Sequence, residues 1–266
     1  MSDPLAFPMY AVNRHDTDAL WLAVQKLLVA RGVPVESLTP ALPQEALVAH
    51  WQNPQLLLSQ TCGYPLVTQL LDVQVVGCFH YTAPGCENIY YRSVLVAREE
   101  DKQQTFADFR GRAVVCNSTD SQSGYNVLMK MVTPLAVNGR FFSRVALSGS
   151  HRQSLHDVKR GEGDIAAIDC VTWALLQRHE PALLDGLAII DQSPLAPGLP
   201  LITAGKTSPD TLAALREALH TLVSAPEYRE ICAALLIGGF SEVTREPYSR
   251  LMDWRKAAQT AGVTRL

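Results

Sequence analysis

No stretch of this sequence comes near the roughly eighteen consecutive apolar residues that a membrane-spanning helix needs. Its six cysteines, Cys62, Cys78, Cys86, Cys116, Cys170 and Cys232, form no C-x-x-C pair, and none stands beside histidines at zinc-ligand spacing. A metal site is therefore not expected. Neither sign of charge dominates: 23 basic residues face 26 acidic ones, a net charge of −3. Such a balance gives no global field for gripping a polyanion, which argues against nucleic acid as the main partner. Charged residues are only 18% of the chain and hydrophobic ones 47%, which excludes disordered, collagenous and low-complexity classes. Met1 to Leu20 has no basic start, no unbroken apolar stretch and no small-residue cleavage site, so it does not read as a secretory signal. On these grounds the chain is expected to be soluble, either cytoplasmic or read without an export signal. Motifs of catalysis are missing too. There is no G-x-S-x-G elbow, no Walker-type loop and no H-E-x-x-H. Gly161-Glu162-Gly163-Asp164 imitates a dinucleotide fingerprint but precedes an expected strand, where the fingerprint must follow one.

What is present is alternation. At 266 residues the chain suits one large domain or two small ones, and it is long enough to bury about three quarters of its unfolded surface. Short apolar runs alternate with amphipathic segments, the pattern of an α/β protein. Leu20, Val24, Leu27 and Leu28 share one helical face, with Asp16 or Thr17 as the expected cap and Gly32 and Pro34 as the stop. Strands are expected near 55–59, 73–79, 93–97, 113–116, 141–147, 165–168, 187–191 and 201–204. Helices are expected near 64–71, 105–109, 125–132, 154–160 and 172–178, and the helices starting at Pro209 and Pro226 are expected to finish the chain. The proline-rich stretch Pro194 to Pro200 reads as a crossover. The pattern restarts in mid-chain, which suggests two α/β lobes. One is discontinuous, residues 1–97 with 200–266; the other is 98–199. A cleft between two such lobes is a default ligand site.

The polar stretch Ser118 to Gly124 follows one expected strand and leads into a helix. About four N–H groups of a helix's first turn lack intrahelical partners. With the helix dipole and the hydroxyls of Ser121 and Ser123 they would make an anion site, and Gly124 would let a ligand approach the backbone. The same serines would equally serve as a plain N-cap. Ser148-Gly149-Ser150-His151 and Asp169 also follow expected strands, the usual edge for ligands in open sheets. His151 could donate to an anion or be a solvated loop residue; Asp169 could accept from a ligand or cap the next helix. Ser123, His151 and Asp169 together are the residue types of a hydrolytic triad. Cys62 and Cys86 lie in turn-like sequence, where a disulfide could form.

The order and spacing of several pieces carry a resemblance. They are Ser59-Gln60-Thr61-Cys62-Gly63-Tyr64, Tyr90-Tyr91-Arg92-Ser93-Val94-Leu95-Val96, Asp108-Phe109-Arg110-Gly111-Arg112, Ser121-Gln122-Ser123-Gly124-Tyr125, Gly149-Ser150-His151, Gly163-Asp164-Ile165-Ala166-Ala167-Ile168-Asp169 and Pro197-Gly198-Leu199-Pro200. In this order they resemble the phosphate, phosphite and phosphonate substrate-binding proteins of ABC transporters. The resemblance implies a type II periplasmic-binding fold, with two α/β lobes clamping a ligand between them. It implies a small oxyanion or phosphonate-like ligand, no cofactor, no catalysis, a periplasmic location and a membrane permease as partner. In that family a Ser-Thr-Ser-Gly loop holds the phosphonate oxygens; here Gln122 replaces the middle hydroxyl with an amide. The implied ligand residues are Tyr10, Gln60, Tyr64, Arg92, Ser121, Gln122, Ser123, Gly124, His151 and Asp169. Two alternatives stand beside this reading: an enzyme on the same fold acting on a small phosphorylated or anionic metabolite, and a cytoplasmic ligand sensor.

Overall fold

The alternation of strand and helix patterns resolves, in a computed structural model describing residues 5–35, 37, 39–40, 43 and 46–266, into two α/β units. The first comprises Met1–Tyr90 and Pro197–Tyr248, the second Tyr91–Ala196 and Ser249–Leu266. Residues 1–4, the start of the segment read as lacking a secretory signal, lie outside the described residues. No described helix is long and apolar enough to cross a membrane.

In chain order the elements are β1 (Leu5–Ala6), α1 (Arg14–Val29), α2 (Leu47–Trp51), β2 (Leu58–Gln60), α3 (Gly63–Thr68), β3 (Gln74–Tyr81), β4 (Tyr90–Tyr91) and β5 (Ser93–Arg98). Then come β6 (Ala113–Cys116), α4 (Val127–Val132), β7 (Arg144–Leu147), α5 (His151–Lys159), β8 (Ile165–Asp169), α6 (Cys170–His179), α7 (Pro181–Leu184) and β9 (Leu187–Gln192). The chain closes with β10 (Ala196–Pro197), β11 (Pro200–Thr203), α8 (Pro209–Ser224), α9 (Arg229–Ala234), β12 (Ile237–Ser241) and α10 (Ser249–Thr260).

The first unit is built on a five-stranded sheet of order β1-β2-β11-β3-β12. Strands β1 and β2 are parallel, and β11 and β12 run antiparallel to their neighbours. The apolar face foreseen on α1 is real. Leu20, Val24, Leu27 and Leu28 join Leu58, Val76, Phe79 and Leu201 of the sheet, and Leu215, Leu219 and Leu222 of α8, in one core. The cap, however, is Asn13, whose side chain accepts the Asp16 N–H at 3.3 Å; Asp16 and Thr17 lie inside the helix. Asn13 keeps extended backbone, the conformation a cap requires. Arg245 sews the unit's late chain to its early chain by donating to the carbonyls of Leu66, Leu70 and Val73.

The second unit has a five-stranded sheet of order β7-β6-β8-β5-β9. Strands β7, β6 and β8 are mutually parallel, while β5 runs antiparallel to β8 and β9. Strands buried on both faces read as continuous apolar runs, and β8, Ile165 to Asp169, is buried at every position. Phe106, Phe109, Val114, Leu128, Phe141 and Ile165 centre the core. A charged network ties its edge: Arg98 donates to Asp164 at 3.0 Å and to the Gly163 carbonyl at 2.9 Å, while Asp164 also accepts the Ala113 N–H at 2.9 Å.

The chain does not finish with the helix that follows Pro226. Strand β12 closes the first sheet, and α10 then packs against α4 of the second unit. Ala258 and Val263 are buried in that unit's core. Residues 249–266, expected in the discontinuous lobe, therefore belong to the other unit, because their apolar side chains find their burial there. All six cysteines are thiols, so the bridge considered for Cys62 and Cys86 is not made. Cys62 is buried at the start of α3, and Cys86 is half-buried in the turn after β3.

Candidate functional site

Parallel strands end on the same side of a sheet, and in the second unit each of β6, β7 and β8 leads into a helical segment there. The π-helical turn Gln122–Asn126, which runs on into α4, follows β6; α5 follows β7; α6 follows β8 directly. Each start is capped by a polar side chain. Ser121 Oγ accepts the Gly124 N–H at 3.0 Å, Ser150 Oγ accepts the Gln153 N–H at 3.1 Å, and Asp169 Oδ1 accepts the N–H groups of Val171 and Thr172 at 2.8 and 3.2 Å. The positive ends of three helical segments thus meet one edge of one sheet.

The serine-rich turn is wound tighter than a plain helix start. Besides its side-chain cap, the Ser121 carbonyl accepts the Tyr125 N–H at 3.3 Å and the Asn126 N–H at 3.0 Å, the latter an i→i+5 bond. Single π turns of this kind recur at functional sites. Ser121 thereby takes three N–H groups of the turn, so the expected set of about four open donors is largely used within the turn itself. Ser121, Gln122 and Ser123 are all buried. Gly124 is needed for a different reason than ligand access. A Cβ there would lie 1.8 Å from Asn117 Oδ1, so the space is filled by a side chain of the protein. That oxygen is buried and without a hydrogen-bond partner. Ser93, at the start of β5, holds the turn from below by donating from Oγ to the Ser123 carbonyl at 2.8 Å.

His151 is the first residue of α5, not a solvated loop residue. Gly149, with φ of +90°, makes the preceding turn, a conformation that disfavours any side chain. The imidazole Nε2 lies 2.8 Å from Ser123 Oγ. Nδ1 is shut off from solvent and makes no well-formed hydrogen bond. Burial pushes the His151 pKa down to about 4, against the smaller upward pull of the Ala167 carbonyl. The ring is neutral at pH 7 and brings no positive charge to an anion.

Asp169 is 2% exposed and performs the capping role on α6. Ser123 and His151 are hydrogen-bonded as a nucleophile and base would be, while Asp169, the third residue type of a hydrolytic triad, is engaged with α6. Arg92 is half-buried, and its Nη1 donates to the Ser193 carbonyl at 3.3 Å. Ser193 Oγ in turn accepts the Ser93 N–H at 2.8 Å. Ser93, Ser193 and Asn117 were not among the expected site residues, the first two because a serine in an apolar strand or beside prolines signals nothing by itself.

Tyr10, Gln60 and Tyr64 belong to the first unit. Tyr10 is buried and meets the Tyr81 ring edge-on, with centroids 4.9 Å apart. Gln60 Nε2 donates to the Tyr81 hydroxyl at 3.0 Å. Tyr64, in α3, is half-buried. Tyr81 was not singled out by sequence, although it ends β3 and joins Tyr10 to Gln60. Among the described residues no group of His, Cys, Asp and Glu is arranged to hold a metal ion.

The family model for the periplasmic substrate-binding protein of phosphonate ABC transporters matches residues 80–248, well over half of the chain. The chain belongs to this family. It is the solute-binding component of an ABC-type uptake system. Among curated proteins no relative matches the sequence. Solved structures share the fold at low identity. A binding protein component of an ABC phosphonate transporter from Pseudomonas aeruginosa is 16% identical, with a TM-score of 0.77, over 98% of this chain and 88% of its own. PhnD1 from Prochlorococcus marinus, in complex with methylphosphonate, is 15% identical, with a TM-score of 0.76, over 96% and 97%. A Xanthomonas citri protein bound to ATP is 14% identical, with a TM-score of 0.70, over 97% and 98%. The fold is the type II periplasmic-binding fold that the sequence resemblance implied.

Proposed function

We propose that this protein captures a small oxyanion of the phosphonate type and holds its anionic end at the Ser121–Gly124 turn. The observation that carries this is the meeting of three capped helix starts at the carboxyl edge of β6, β7 and β8, with Ser123 and His151 hydrogen-bonded there. Helix starts favour anions through dipole and backbone N–H groups. The relatives solved with methylphosphonate and with ATP both carry tetrahedral phosphorus oxyanions, which supports this ligand class. Ser121, Gln122, Ser123, Gly124 and His151 form the anion end of the proposal. Arg92 and Asp169 flank it in the same unit. Tyr10, Gln60 and Tyr64 remain candidate ligand residues of the first unit. The protein acts in the periplasm, releases its ligand unchanged to a membrane permease, and uses no cofactor.

The test is calorimetric titration with methylphosphonate. Ser123→Asp puts a negative charge into the anion site and should abolish detectable binding. Ser123→Ala should weaken it by roughly the 1.5–3 kcal/mol of a hydrogen bond to a charged group, or less. Ser123→Asp binding as tightly as the parent would move the anion site elsewhere. Phosphorus NMR of the ligand after prolonged incubation should show it unaltered; turnover would support an enzyme on this fold.

A further inference from the structure

Helix α5 buries Leu155 and Val158 on one face. Arg152, His156, Lys159 and Arg160 share its outer face, because residues three and four apart on a helix are neighbours. With Glu180, and with Ala182 and Leu183 of the adjacent α7, they line a groove of about 480 Å³. The acceptors of this groove are already used. The Ala182 and Leu183 carbonyls take the Lys159 ammonium at 2.8 and 3.4 Å, and the Glu180 carboxylate takes Arg152 Nε at 2.7 Å. What remains is donors. A guanidinium has five N–H groups and an ammonium three, and the side chains of His156 and Arg160 make no hydrogen bond or ion pair among the described residues. The helix dipole suits the cations at the carboxyl end, Lys159 and Arg160, but disfavours one in the first turn, where Arg152 stands. Three cations thus face one carboxylate in the groove, on a chain whose net charge is −3.

We infer that this groove is a docking site for an acidic segment of a partner protein, whose carboxylates meet the outer face of α5. A surplus of donors calls for acceptors that bring negative charge with them. From Arg152 to Arg160 the face runs eight residues, about 12 Å at 1.5 Å per residue. That length suits several carboxylates spaced along a chain better than one tetrahedral anion. A recessed groove admits side chains, whereas a flat anionic bilayer has none to insert. The inference goes beyond the proposed function and does not rest on it. Helix α5 begins at His151, and Arg160 lies at its other end.

The experiment follows a fluorescein-labelled peptide of alternating glutamate and leucine by fluorescence anisotropy, with the full chain. The peptide should bind saturably, and raising the salt from about 50 to about 500 mM should weaken it at least about fivefold. The same peptide with lysine in place of glutamate should not bind. Arg160→Glu should weaken the acidic peptide at least about fivefold and leave methylphosphonate titration within about twofold of the parent. Glu180→Gln removes the carboxylate that competes in the groove and should tighten the acidic peptide at least about twofold, a gain that misfolding cannot produce. Absence of saturable binding, equal binding of the lysine peptide, or binding unmoved by Arg160→Glu or by Glu180→Gln overturns the inference. Displacement by inorganic phosphate as effective as by unlabelled peptide overturns it in favour of a small-anion site. Binding of phosphatidylglycerol vesicles without binding of the peptide overturns it in favour of a membrane surface. Failure of methylphosphonate to bind the parent overturns the proposed anion site and leaves this inference standing.

Discussion

Replacing Asp169 separates support of the site from contact with ligand. The carboxylate is 2% exposed and takes two α6 N–H groups, from Val171 and Thr172. Asp169→Ala leaves both without that acceptor at a buried helix start. Losing a cap costs about 0.5–2 kcal/mol, and losing the charge–dipole attraction adds about 0.3–1 kcal/mol. The expected loss is about 1–3 kcal/mol. Asp169→Asn keeps the acceptor oxygen and loses only the charge, so about 0.5–1 kcal/mol is expected. At roughly 2–4 °C per kcal/mol for a chain of this size, the alanine variant should melt roughly 2–12 °C lower. A chain of two units need not unfold in one step, so the sharper readout is amide hydrogen exchange. The Val171 and Thr172 amides should speed up strongly in Asp169→Ala and little in Asp169→Asn. If neither variant changes exchange or melting while ligand binding is lost in both, the cap is dispensable and Asp169 acts on the ligand alone.

Gly124→Ala should destabilise the second unit by about 1–2 kcal/mol, since its Cβ would lie 1.8 Å from Asn117 Oδ1; Asn117→Ala added to it should recover most of the loss, and a double variant no more stable than Gly124→Ala would refute the contact. Asp164 contributes to acid stability. Burial raises its pKa, but the Ala113 N–H, the Arg98 hydrogen bond and the charges of Arg98 and Arg112 outweigh this and hold it below the ordinary value of 3.8. A carboxylate with a depressed folded pKa stabilises above its unfolded pKa and loses that contribution as pH falls through the folded value. Asp164→Asn should therefore be less stable than the parent at pH 7, with the gap closing below about pH 4 in denaturant titrations; a gap independent of pH would point to packing alone. Native alkylation followed by intact-mass analysis should label half-buried Cys86 first. Cys78 and Cys116, buried and pushed up to about 12 by desolvation, should react only on unfolding, and early labelling of either would contradict the packing.

How much of this was legible in the sequence depends on the range of the interaction. The strand Ala113–Cys116 was read residue for residue, because four apolar residues lie between a charged turn and a polar stretch. The Asp169 cap was legible as one of two roles, since caps are local. The end of the chain was not. Strand β12 holds Gly238 and Gly239, residues that weaken a strand pattern, and only its pairing with β3 makes it a strand. The partner of α10 was equally hidden. An amphipathic helix shows that it has a face to bury, not which unit will bury it.

The serine-rich turn shows the same limit at the level of single atoms. Its sequence announced hydroxyls and a glycine at a helix start, and both the cap and the anion site were consistent with that. The structure gives the two serines different tasks. Ser121 is spent on the turn itself, through its Oγ and its carbonyl. Ser123 is bonded by its carbonyl to Ser93 and by its hydroxyl to His151, twenty-eight residues away. Gly124 admits Asn117 in place of a ligand. The partners of Ser123 and of Gly124 lie outside the turn, so its sequence does not fix which of its atoms remain to meet a ligand.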